Sequence, residues 1–167
     1  MLGTGGRRLW LSMHIVSSVG WIGAVMAFIV LDVATVTSAN VGVLRGAYIS
    51  MDLITRWAII PLALTSFVTG LVVALGTKWG LFRHYWVAVS LVLTAASTIV
   101  LYVQVPLIGR RAAMAADLAT SDATIQDLGN LLLHSIGGTI VLLIIMVLNI
   151  YKPRGLTRYG WRKQVAQ

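Results

Sequence analysis

The side chains most able to do chemistry in this 167-residue chain are three histidines, His14, His84 and His134, and no cysteine accompanies them. Thiolate metal sites, disulfides and cysteine nucleophiles are therefore excluded, and imidazole chemistry is left: metal ligation or proton transfer. His14 stands near the start of the first apolar run and His84 at the start of the third. If both runs are membrane helices, the two imidazoles lie at one depth on different helices, the arrangement a b-type haem held by two histidines requires. His134 opens the fourth run, which places it toward the opposite surface. There it joins a second group, Asp32, Asp52 and Arg56, for which two readings stay open. One is a structural clamp in which Asp32 and Asp52 neutralise Arg56. The other is a proton or ion relay with His134 as its titrating member.

The elements that must position these residues are apolar. The chain is 58% hydrophobic and only 11% charged, which is outside the globular range and belongs to an integral membrane protein. Four spans are expected at about 9–36, 53–76, 84–108 and 131–151. Each must be helical, because backbone groups in lipid are satisfied only within their own segment. The first span, LWLSMHIVSSVGWIGAVMAFIVLDVATV, organises the rest. His14 and Asp32 are separated by five helical turns, so they share one face roughly 27 Å apart, with Ser17, Ser18, Trp21, Val25 and Phe28 on or beside it. A titratable residue is costly in lipid, so this face turns inward.

Between the spans, residues 37–51 contain Asn40, Gly42 and Gly46 and suggest a short ordered connection. GTKWGLFRHYW, residues 76–86, has the glycines, cations and tryptophans of an interfacial hairpin. The longest connection, 109–130, has enough Ala, Leu and Met for an amphipathic helix, and 152–167 is a basic tail. Nine cations lie at the two termini and the second connection, against four (Arg45, Arg56, Arg110, Arg111) on the other side. The positive-inside rule then puts both termini in the cytoplasm. A net charge of +8 distributed between apolar spans suits anionic lipid headgroups and not nucleic acid. Small and hydroxyl residues form stripes: Ser17, Gly20, Ala24 and Ala27 on the first helix, then Ala58, Thr65 and Thr69 on the second. Ser90, Thr94, Ser97 and Gln104 follow on the third; all of these read as packing surfaces. Pro61 is placed to bend the second helix.

MHIVSSVGWIG, residues 13–23, resembles the opening helix of the bacterial four-span family that includes haem-binding protoporphyrinogen oxidases and copper-resistance D domains. His14, Trp21 and Gly23 carry the likeness, and GLFRHYWVAVSLVLT is similar to that family's Trp-x-x-x-Lys-Leu helix start. GTKWGLFRHYW is closer still to an uncharacterised bacterial four-span family. The resemblance implies haem b with His14 as ligand and with Trp21 and Ser90 at the cofactor; the shared depth adds His84 as the candidate second ligand. The family lysine is replaced by Ser90, so a role carried by that amine, and with it the oxidase activity, does not transfer.

The expected fold is thus all-α, an antiparallel four-helix bundle in the bacterial inner membrane. The leading functional expectation is a small haem- or porphyrin-binding membrane protein with a redox or haem-handling role. Two alternatives stand beside it: an accessory or scaffold subunit of a membrane complex, and a proton-coupled small transporter using Asp32, Arg56 and His134, which must form a homo-oligomer to enclose a path.

Overall fold

The computed structural model describes residues 3–77 and 79–165, and among these it is predominantly helical, with no strand. Four helices are long and apolar enough to cross a membrane: α1 (Thr4–Thr37), α2 (Val41–Gly76), α3 (Tyr85–Ala116) and α5 (Leu132–Tyr151). Two short helices complete the chain, α4 (Asp122–Gln126) before α5 and α6 (Arg158–Val165) at the end. Connections as short as Ser38–Asn40 force neighbours to run antiparallel, so the fold is an up-down helical bundle of a membrane protein. Both termini and the 77–84 hairpin share one end, called here the terminal end.

Two helices run well past the expected spans. The stretch 37–51, expected as a connection, is helical from Val41, because Asn40 caps it by accepting from the Gly42 and Val43 amides at 2.9 and 3.3 Å. Leu44, Ala47, Tyr48 and Met51 repeat at helical spacing and are buried, and this outweighs the low helix propensity of Gly42 and Gly46. Likewise α3 does not stop near residue 108 but continues to Ala116, burying Ile108, Ala112 and Ala115. Only 122–126 of the 109–130 segment forms a separate helix. At 36 and 32 residues, α2 and α3 are about 54 and 48 Å long, against a hydrocarbon core of about 30 Å. Their far ends pack on each other and on Ile125.

Arg45 locks that far end. Its guanidinium donates to the carbonyls of Ala115, Asp117 and Thr120 at 3.0, 2.8 and 2.6 Å, meeting the partial negative charge where α3 stops. Tyr48 adds a hydrogen bond to the Gly129 carbonyl at 2.8 Å. Halfway down α2, one π turn (Thr55–Ile59) comes just before Pro61, and the wider turn accommodates the amide that proline lacks.

The terminal end is closed by a clasp. Thr157 donates from its amide to the Arg83 carbonyl at 3.0 Å and from its hydroxyl to the Phe82 carbonyl, while its side-chain oxygen accepts from the Gly160 amide at 3.0 Å. Gly160 lies so close to the Arg83 carbonyl that no Cβ fits between them. The basic tail is therefore folded back onto the hairpin.

Candidate functional site

In the far half, Val25, Phe28, Met51, Ile59 and Ile108 belong to the buried apolar core. Toward the terminal end the four long helices surround a cavity of about 680 Å³ to which α1, α2, α3 and α5 all contribute, within the size range of small-molecule and cofactor sites. Among the expected site residues, His14, Trp21 and Ser90 line it. His84 does not join them: its Nδ1 lies 2.8 Å from the Trp79 carbonyl and its ring packs edge-on against Trp79. Depth alone put the two histidines at one level, but His84 caps the start of α3 in an extended conformation and belongs to the hairpin wall. The expected His14–His84 pair is thus not assembled at one cavity.

His14 is held by the facing helix. Its Nδ1 lies 3.0 Å from the Ser66 carbonyl and 3.2 Å from the Thr69 hydroxyl. A carbonyl only accepts, and the Thr69 hydroxyl gives its own hydrogen to the Thr65 carbonyl at 2.6 Å. The hydrogen is therefore on Nδ1, which in the neutral ring leaves Nε2 its lone pair. This orienting bond through the second ring nitrogen is the support a metal-ligating imidazole requires. Gly70 makes room for the ring, since a Cβ there would stand 3.0 Å from His14 Cε1. Beside it the hydroxyls of Ser18 and Ser66 meet at 2.7 Å, fastening α1 to α2.

Sequence reasoning placed Thr69 on a packing stripe and overlooked Ser66 and Gly70 altogether. The signal was present, because residues 66, 69 and 70 fall on one helical face opposite a polar face of α1. Across the cavity, Trp86 Nε1 and Ser90 Oγ are buried and have no hydrogen-bond partner among the described residues. Among the described residues no group of three or more His, Cys, Asp or Glu gathers to hold a bare metal ion.

Of the second expected group only the Asp52–Arg56 pair forms. Asp32 is fully buried and accepts from the Leu131 amide at 2.9 Å and the Ser135 hydroxyl at 3.1 Å, so its partner is the start of α5 and not Arg56. Arg56 bonds Asp52 through Nε at 2.8 Å, one turn away on its own helix, with its side chain half exposed. Its guanidinium lies over Gly109 of α3, where the missing side chain leaves space. His134 is exposed and lines a second, more apolar cavity of about 430 Å³ bounded by Phe28, Gln104 and Gly138. Trp21 and Leu142 line both cavities and form the wall between them.

Comparison with protein families, with curated proteins and with solved structures gives no match to this chain. The functional reading therefore rests on the geometry.

Proposed function

We propose that this chain is an inner-membrane protein that binds a b-type haem or a related porphyrin in the terminal-end cavity, with Nε2 of His14 as the protein's ligand to the metal. The observation that carries this reading is the state of His14: its Nδ1–H is committed to Ser66 and Thr69, and the free nitrogen belongs to a residue lining a large cavity. One imidazole suffices for a macrocycle that brings its own donors, whereas a bare ion needs several side chains. Aliphatic side chains of all four helices supply the apolar walls such a ring requires, and Gly70 keeps the imidazole in place. The likeness of residues 13–23 to the first helix of a haem-binding family points the same way. A haem bound there would supply one-electron chemistry, while His14 would hold it and the apolar walls would orient it. Both termini are assigned to the cytoplasm on the cation bias.

An absorbance spectrum tests the reading. Protein purified in detergent and offered haem should show a Soret band that His14→Ala removes and His84→Ala retains; a preparation that stays colourless overturns it. Because the chain has no cysteine, Leu118→Cys and Gln164→Cys each provide a single thiol for labelling from one side of intact cells. Labelling at 118 alone agrees with cytoplasmic termini, and labelling at 164 alone reverses the assignment. The hydrogen bonds do not link the residues of the transporter reading directly: Asp32 bonds Leu131 and Ser135, and Arg56 bonds Asp52.

A further inference from the structure

The terminal-end cavity has a definite electrical sign. Arg7, near the start of α1, and Lys152, just beyond α5, both line it, and none of its described lining residues is acidic. Lys152 is fixed at this place: it ends α5 with a left-handed backbone (φ 45°), and its ammonium stands 5.7 Å from the centre of the Trp79 ring. Among the described residues, Trp86 Nε1 and Ser90 Oγ, in residues only 8% and 7% exposed, and Thr77 Oγ1 at the hairpin are buried without a hydrogen-bond partner. An indole N–H can only donate, and buried donors in proteins nearly always have an acceptor. Two cations and three donor-capable groups thus belong to one cavity that offers no negative charge of its own.

We infer that the cavity selects an amphipathic ligand bearing free carboxylates, whose acid edge lies at Arg7 and Lys152 and whose apolar body extends toward His14. The apolar body is taken from the porphyrin reading, on which this rests; the acid edge follows from the charges. The register agrees, because Arg7 and His14 are seven residues apart on α1, two turns along the same face and about 10 Å in depth. A carboxylate at the rim meets charge-assisted donors, and its remaining lone pairs suit the hydroxyl and indole groups below.

The test compares metal-free protoporphyrin, a dicarboxylate, with its dimethyl ester, using the full-length protein in neutral detergent and reading fluorescence against empty micelles. The acid should bind at least about tenfold more tightly than the ester, the difference expected of one good charge-assisted contact. In a variant carrying both Arg7→Gln and Lys152→Gln the preference should fall below about threefold, with ester binding and helical circular dichroism unchanged. His14→Ala should leave the preference intact. Equal binding of acid and ester to the unaltered protein overturns the inference even if haem gives a His14-dependent Soret band. A preserved preference with no Soret band from added haem leaves it standing while the haem reading fails. If anionic phospholipid in the micelle removes the preference without displacing either porphyrin, the two cations belong to headgroups and the inference falls.

Discussion

The carboxylate of Asp32 on the first helix accepts a hydrogen bond of 2.9 Å from the backbone amide of Leu131, at the entrance to the last membrane helix. Leu131 has no side-chain acceptor to cap α5, so the acid of α1 takes that role and meets the partial positive charge of the helix start. The Ser135 hydroxyl supplies a second bond at 3.1 Å.

Replacing this acid should therefore cost stability and not merely activity. Asp32→Ala leaves the Leu131 amide and Ser135 hydroxyl without their acceptor in a buried site, a loss on the order of 1–3 kcal/mol. Thermal unfolding in detergent should show a clearly lowered midpoint. Arg56→Gln, which removes a half-exposed partner of Asp52, should lower it less. Equal effects would place Asp32 and Arg56 in one network after all.

A second expectation concerns Gly70. A methyl group there would stand 3.0 Å from the His14 ring, which must give by a few tenths of an ångström and so strain its bonds to Ser66 and Thr69. Gly70→Ala should shift or weaken the Soret band of haem-loaded protein. Gly23→Ala should not, because nothing lies within 4 Å of its Cβ position. Identical spectra for Gly70→Ala and the unaltered protein would show that the ring is free to move.

Much of this was legible in the sequence, and what was not has identifiable causes. Hydropathy located the four membrane helices because lipid tolerates no other backbone arrangement. The resemblance named His14, Trp21 and Ser90, and all three line the terminal-end cavity; the depth argument added His84, which does not. Hydropathy misjudged the far ends of α2 and α3, where Gly42 and Gly46 imitate a turn but Leu44, Ala47, Tyr48 and Met51 set the helical period. It paired Asp32 with Arg56 because charge seeks charge. The actual partner was a backbone amide, a donor present at every helix start and invisible to residue type.

Arg45 gives a third prediction. Its contacts to Ala115, Asp117 and Thr120 hold together the end of α3 and the segment after it. Arg45→Met should raise amide hydrogen exchange across 117–127 and leave the 60–76 half of α2 unaffected. Unchanged exchange would mean that Tyr48 and Ile125 suffice to hold the segment.

The clasp at the terminal end gives a fourth. Gly160→Ala places a methyl group against the Arg83 carbonyl, where there is no room, so α6 must leave the hairpin. Protease cutting after Arg158 and Arg162 should become several-fold faster at constant overall helicity. Cutting at the original rate would show that the hairpin yields instead.

Trp21 belongs to two enclosures at once, one reaching toward His14 and the other toward Gln104 and His134. A lipid-soluble molecule that slips in beside Gln104 thus meets the indole and Leu142 before it reaches the imidazole. The two spaces accordingly share one partition, and passage from one to the other depends on where those two side chains stand.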